Sequence, residues 1–429
     1  MKRSIACVQL VLLVIATSAD PLTALAQRAH DGLIITNVRV FDGIRVVPSA
    51  TVVVENQTIT SVGAESQAAY TRVDGTGQTL LPGLIDGHDH IAGNRDSLRD
   101  AARFGVTTVI DLFDSRPERM QALRRLVQAE PSCSEADYFG AGAGATVKGG
   151  HAYRADGQPT LSTPAEADQF VDARVAEGSE YIKIIVEGGF PGKPVPTLDA
   201  ATVRALIDAA HRRGKIAIVH ATWPEDVRMA VESGADGLAH LWVSSRGRAG
   251  DDEQLVRLIK TRGIFVVPTL TMLEALTNGD GSSSLLADAR LAPYLSARAR
   301  ENLKPTRAGS LTDQMRRYYD NIRALHRAGV PIVAGTDAPN AGIEHGISLH
   351  RELELLVAAG MSPLEALKAA TSVAATAYRL KGHGRILPGA RADMILVKGD
   401  PTTDILATRN IVSIWKCGQR LGREPTAGR

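Results

Sequence analysis

Cysteine is scarce: three in 429 residues, too few for a disulfide framework and spaced unlike a thiolate metal site. No charge of one sign dominates. The 49 basic and 47 acidic residues are interspersed and leave a formal charge of +2; no basic stripe interleaved with aromatics argues for nucleic acid. The glycine fingerprint of a dinucleotide-binding sheet is missing, because "DGHDH" follows the first strand of the middle region. Lys148, in "TVKGGH", lacks the Gly-Lys-Ser/Thr context of a phosphate loop. No solenoid-type repeat appears. What is left, 44% hydrophobic and 22% charged, is ordinary for a soluble globular chain of one large or two modest domains.

The N-terminus carries Lys2 and Arg3, an apolar run from Ile5 to Ala19, then small residues at Ala24 and Ala26. That order is the n-region, h-region and A-x-A site of a secretory leader, with cleavage expected after Ala26. The run is short for a spanning helix and contains Gln9, Thr17 and Ser18. A secreted or periplasmic protein without stable membrane association is therefore expected, an uncleaved anchor being the alternative. Export would leave Cys133 and Cys417. Because they fall in different expected units, they are expected to be structural and unpaired.

From Asp31 the texture is short strands, "LIITNVRVFDG", "ATVVVENQ" and "TITSVGA", and it returns in "GRILPGARADMILVKGD" and "IVSIWKCGQR". The middle alternates strand-like bursts with amphipathic stretches that close on Gly: "LIDGHDH", "TTVIDLF", "DYFGAGAG", "YIKIIVE", "IAIVH", "GLAHLW", "IFVVPTL" and "PIVAGTD". The pattern predicts an α/β protein: a (β/α)8 TIM barrel over 84–380, with a small β-sandwich domain formed by both chain ends, 27–83 and 381–429. An open doubly wound sheet is the alternative. Residues 272–312, rich in Gly and Ser at the start, read as a partly helical lid or as a passive insertion.

Polar residues gather near the ends of these bursts. His88 and His90, one residue apart on a strand, share a face. Lys183 lies in the fourth burst, His220 ends the fifth, His240 lies in the sixth and Asp337 ends the eighth. In a barrel the C-terminal strand ends converge, and neutral imidazoles with a carboxylate suit a borderline divalent cation such as zinc. Lys183 sits among apolar neighbours, where an inward ammonium is costly. Burial lowers a lysine pKa, and a neutral amine is the form that captures carbon dioxide. The plain alternative is an outward lysine paired with a helix.

With the motifs "LLPGLIDGHDH", "GVTTVIDL", "YIKIIVEGG", "IVHA", "GADGLAHL", "AGTDAP" and "GRILPGARADMILVKGDP", the chain resembles the metal-dependent amidohydrolase superfamily over nearly its whole mature length. It is most similar to the imidazolonepropionase-related and Xaa-Pro dipeptidase-like branch. The resemblance implies two divalent ions, zinc expected. His88, His90 and Asp337 would bind one and His220 and His240 the other, with carbamylated Lys183 and a hydroxide between them. It also implies that His151, in "GGHAYR", contacts the substrate carbonyl, that Asp337 shuttles the proton, and that a small molecule or short peptide is hydrolysed at an amide. A homo-oligomer is compatible with all of this.

Two departures bear on substrate. Relatives acting on C-terminal proline often have tyrosine after the fifth-strand His-Ala pair, where this chain has Thr222 and Trp223; "AHLWVSSR" stands where many relatives read Glu-His-Gly. Hydrolysis of a cyclic amide, lactone, carbamate or phosphotriester is thus the competing enzymatic reading, and a non-catalytic binding barrel the third. Of the other histidines, His211 suits a helix C-terminus. His30, His326 and His383 read as surface or loop, and His345 and His350 as helix-start packing or pocket lining.

Overall fold

The computed structural model describes residues 32–63, 68–154, 156–190, 192–243, 251–277, 281–304 and 313–426. The expected leader, 1–26, lies outside the described residues. The chain opens with β1 (Gly32–Phe41), β2 (Val46–Glu55), β3 (Thr58–Val62), β4 (Thr71–Asp74) and β5 (Gln78–Pro82). The β1–β2 turn is held by Asp42, whose Oδ1 accepts the backbone N–H of Ile44 and Arg45 at 2.8 and 2.9 Å. Asn56 and Gln57 join β2 to β3 with φ of 47° and 69°, the positive pair that a two-residue hairpin turn needs.

Along the middle come β6 (Leu84–Asp89), β7 (Val106–Asp111), β8 (Asp137–Gly140), β9 (Tyr181–Val186), the short hairpin β10 (Gly189–Phe190) and β11 (Lys193–Pro194), β12 (Ile216–Ala221), β13 (Gly237–Ala239) and β14 (Phe265–Val267). Last are β15 (Met394–Lys398), β16 (Ile411–Lys416) and β17 (Gln419–Arg420). The two chain ends share one eight-stranded sheet, ordered β17-β16-β15-β5-β1-β2-β3 with β4 beside β1. Antiparallel pairing of β15 with β5 is the join. Period-two alternation divides its side chains. Leu33, Ile35, Val38, Val40, Met394 and Leu396 build a small core of their own, while Phe41, Leu81, Ile395 and Val397 belong to the large α/β core.

The middle forms two parallel sheets, β6-β7-β8 and β14-β13-β12-β9. Helices connect successive strands, among them Arg95–Arg103, Pro117–Ala129, Ala200–Arg212 and Pro224–Glu232. Parallel bridges reach beyond the sheets: Ala145 to Ile184, Val266 to Ile332, and Asp89 to Ala338. The eighth burst, 331–337, therefore forms isolated bridges and loop rather than a regular strand. Pro331 has no N–H to give, and Asp337 has φ 64°, which ends extended pairing. Val333 N–H still reaches the Val266 carbonyl at 2.9 Å, and Asp337 N–H the His88 carbonyl at 2.7 Å, so the segment lies between β14 and β6.

Residues 270–304 contain helices Leu270–Leu276, Gly281–Leu286 and Ala297–Asn302. Leu285, Leu291, Leu295, Ala299 and Leu303 pack on Phe104 and Ile347. Asn302 Nδ2 donates to the carbonyls of Asn340 and Ile343 at 2.9 and 3.0 Å, and Arg298 pairs with Glu344 at 2.9 Å. This insertion is helical and fastens the loop that follows Asp337.

Cys133 and Cys417 are disulfide-bonded, with Cα atoms 5.6 Å apart, which corrects the expectation that they stay unpaired. The loop before β8 packs against the β16–β17 turn, so cysteines remote in sequence meet where the terminal sheet docks. Beside them the fully buried Lys416 Nζ bridges Asp137 and Asp393 at 2.9 Å each. His383 reaches Asp137 at 3.0 Å. Asp137, His383 and Asp393 are close enough to chelate a cation, but Lys416 and Arg391 already answer their charge.

Burial pushes the Asp137 pKa up, but His383, Lys416 and Arg391 outweigh it and hold the carboxyl down at about 2. The stabilisation from this depressed carboxyl is present above the unfolded-state pKa near 4 and disappears as pH falls toward 2. Asp137→Asn is expected to cost about 2 kcal/mol at pH 7, and the gap from wild type should close between pH 4 and 2. Denaturant unfolding at pH 7 and pH 2.5 checks it; equal stability at pH 7 would remove the ion cluster from the account of docking.

Candidate metal centre

Parallel strands set their C-terminal ends at one edge, and there the histidines meet. β6 alternates, so His88 and His90 project together, their rings 5.2 Å apart. The strap from β6 to the eighth segment is Asp86, which accepts Thr336 N–H at 3.0 Å and Thr336 Oγ1–H at 2.6 Å. It delivers Asp337 to the pair: Oδ1 lies 2.7 Å from His90 Nε2 and 3.4 Å from His88 Nε2. His88, His90 and Asp337 offer ligand atoms all within 4.8 Å of one another. His240 lies 4.9 Å from His88, ring to ring, and His220 lies 4.6 Å from His240. The expected histidines and Asp337 thus form one cluster.

Two of the rings are turned by what holds their other nitrogen. His90 Nδ1 lies 3.1 Å from the Phe113 carbonyl, and His240 Nδ1 lies 2.7 Å from Thr269 Oγ1, leaving both Nε2 atoms for the centre. His240, Thr269 and Asp337 all have positive φ, 72°, 48° and 64°. Such backbone is costly for residues with a Cβ and collects at functional sites.

Lys183 points inward. It is 3% exposed, and its Nζ has no hydrogen-bond partner. Burial lowers its pKa to about 7 against the opposing charge of Asp337, so a large neutral fraction exists at neutral pH. The outward, helix-paired alternative does not hold. Burial, then Lys183 and the neighbouring imidazoles, pushes His88 well down, and burial with His220 does the same to His240. Both are neutral, as ligands must be. Burial opposes ionisation of Asp337, but its hydrogen bond with His90 wins and holds it at about 2.

His151 stands at the edge of the cluster, its ring 4.8 Å from that of His220. Burial and His220 lower its pKa to about 4. The remaining histidines lie elsewhere. His211 pairs with Asp236 at 2.8 Å and His326 with Glu365 at 2.9 Å. His345 is buried on Asp89 at 2.8 Å. His350 is buried between Thr408 Oγ1 and the Phe104 carbonyl at 3.1 and 3.0 Å, which is packing. His30 lies outside the described residues.

Three polar groups by the cluster were missed: Asp111, 3.9 Å from His90 Nδ1; Glu187, 3.8 Å from His220 Nε2; and Thr269. Asp111 ends β7, and Glu187 closes the burst "YIKIIVE". The rule that singled out the histidines, a polar residue at a strand's C-terminal end, would have flagged both.

The donor set fits divalent cations: imidazoles, those of His88 and His240 kept neutral by burial, an ionised carboxylate and the buried amine of Lys183, which has no hydrogen-bond partner. Comparison with known proteins agrees. The family model described as "Amidohydrolase family" matches residues 79–421. The chain is 23% identical to ochratoxinase of Aspergillus niger, over 89% of this chain and 84% of that enzyme. It is 26% identical to imidazolonepropionase of Streptomyces griseus, over 87% of this chain and 93% of that enzyme. Among solved structures it resembles a Xaa-Pro dipeptidase with bound methionine, with a TM-score of 0.72 and 23% identity over 91% of this chain and 99% of that one.

Proposed function

Because the chain belongs to the amidohydrolase family, we propose that it hydrolyses an amide bond of small peptides or N-acyl amino acids at a binuclear metal centre. The observation that carries the reading is the grouping of His88, His90 and Asp337 around ligand positions within 4.8 Å, with the unpartnered amine of Lys183 buried beside them. His88, His90 and Asp337 would hold one divalent ion, and His220 and His240 the second. Lys183, adding its neutral amine to carbon dioxide and releasing a proton, would add a carbamate to the groups that hold the pair. Bound there, zinc or a similar ion would bring the pKa of a water near 7 and polarise the scissile carbonyl.

The protein's own groups do the rest. Asp337, ionised at neutral pH, takes the proton from the attacking water and returns it to the leaving amine. His151, neutral above about pH 4, donates a hydrogen bond to the carbonyl oxygen as negative charge develops. His151→Ala is expected to lower kcat roughly 10²-fold with metal content unchanged, as steady-state rates and metal analysis on one preparation would show. Wild-type kcat would take His151 out of the mechanism.

The competing bond classes share this centre. Glu187, buried at its rim, disfavours a substrate carboxylate nearby and supports testing uncharged cyclic amides, lactones, carbamates and phosphotriesters alongside peptides. The experiment is metal analysis with a hydrolysis panel over these classes. Two ions per chain and turnover of dipeptides or N-acyl amino acids are expected. A metal-free, inactive protein from zinc-supplemented medium would overturn the reading in favour of a binding barrel.

The parallel bridges at Ala145, Ile332 and Ala338 support reading the two middle sheets as arcs of a (β/α)8 barrel over 84–380. The self-packed core of the terminal sheet supports a sandwich built from 27–83 and 381–429. The Cys133–Cys417 bond supports export, since such bonds persist in oxidising compartments. Among the described residues no helix is long and apolar enough to cross a membrane.

A further inference from the structure

Glu187 follows β9 directly. Strand alternation puts Lys183, Ile185 and Glu187 on one face, and Ile185 is the register partner of His220 on β12. A carboxylate thus stands above the lysine and beside the fifth-strand histidine, 2% exposed. Its Oε1 accepts Trp223 Nε1–H at 2.9 Å and Gly189 N–H at 3.0 Å; its Oε2 accepts the Thr222 hydroxyl. All three donors are neutral, and no lysine or arginine among the described residues forms an ion pair with it. Two imidazoles near it can carry positive charge, His151 and His220; His220 is the one within ion-pair reach, with Nε2 3.8 Å from Oε2, and that nitrogen is buried without a hydrogen-bond partner.

We propose that Glu187 is a positioning residue for His220, drawing Nε2–H toward its carboxylate and so fixing the tautomer that presents Nδ1 to the metal centre. The inference rests on the metal-centre reading above. Two of the cluster's other rings support it: His90 and His240 each have the nitrogen turned away from the centre held by an oxygen, from Phe113 and Thr269. Glu187 is the oxygen source standing opposite the corresponding nitrogen of His220. It differs from the other two in bringing a full negative charge, which raises the basicity of the ring and adds to the field that retains a dication.

The test compares Glu187→Gln with Trp223→Phe on the full chain. Glu187→Gln keeps the shape and removes the charge. Trp223→Phe removes one Glu187 hydrogen bond and leaves the carboxylate opposite His220. Chelator competition with zinc, and nitrogen NMR of the imidazoles, are the readouts. Glu187→Gln should weaken one of two zinc equivalents 10- to 100-fold and shift the His220 nitrogen signals, with the other equivalent unchanged. Trp223→Phe should keep both affinities. A part that only holds the rim together would make the two variants alike, and that result overturns the inference, as would Glu187→Gln binding both equivalents like wild type. Wild-type protein that takes up no divalent ion would overturn the metal reading and this inference with it.

Discussion

Asp337→Asn lowers kcat by roughly 10²- to 10⁴-fold, the range supplied by a positioned general base, while metal content falls little. Asn keeps the shape and an oxygen that can still coordinate beside His88 and His90. It also tolerates the left-handed backbone this position requires, φ 64°, so the loop after Asp337 keeps its course. What it loses is the carboxylate proposed as proton acceptor. In the wild type that acceptor is ionised at neutral pH, because the His90 bond at 2.7 Å outweighs burial and holds the carboxyl at about 2. Turnover and metal stoichiometry on the same preparation decide the matter. Unchanged turnover would dismiss Asp337 as proton shuttle; loss of both metal and turnover would recast it as a ligand only.

Lys183→Met moves activity and stability in opposite directions. Methionine fills the space of the lysine stem without an amine, so the proposed carbamate could not form and the second ion of the proposed centre would lose a shared ligand. Turnover should fall on the order of 10³-fold or more, equivalent to about 4 kcal/mol of transition-state stabilisation, and bound metal should drop below two equivalents.

In chelator-treated, CO2-free protein the same change is stabilising. The folded-state pKa of Lys183 is about 7, below its unfolded value near 10.4, so burial of the amine opposes folding once the unfolded lysine is charged. That cost is absent above pH 10.4, grows as pH falls, and is complete below pH 7, where it reaches about 5 kcal/mol. Metal-free Lys183→Met should therefore unfold at higher denaturant than metal-free wild type at pH 6, and the two should converge at pH 10. A variant less stable at both pH values would mean that the amine has a partner in the fold.

How far the site could be read in advance depends on the distance over which each relation acts. That His88 and His90 share a face follows from strand alternation alone. The βα alternation of the middle is likewise carried by local patterning, with bursts such as "YIKIIVE" and "IAIVH" becoming β9 and β12. Lys183 was marked as unusual by its apolar neighbours, and its inward orientation at 3% exposure agrees with the cost argument.

Other relations needed the coordinates. The eighth burst looks like a strand, yet Pro331 and the positive φ of Asp337 leave only bridges to its neighbours. Cys133 and Cys417 are 284 residues apart, and no periodicity of either segment reports that the β16–β17 turn docks beside β8. Glu187 near His220 depends on the register of β9 against β12. By itself, then, the sequence determined which residues could ligate a cation and which strand faces bear them, because alternation and polarity are encoded over a few positions. Only the tertiary structure decided which oxygens hold the outer nitrogens of His90 and His240, that Glu187 stands beside His220 and which cysteines meet, because those depend on strand register and on the docking of segments far apart in the chain.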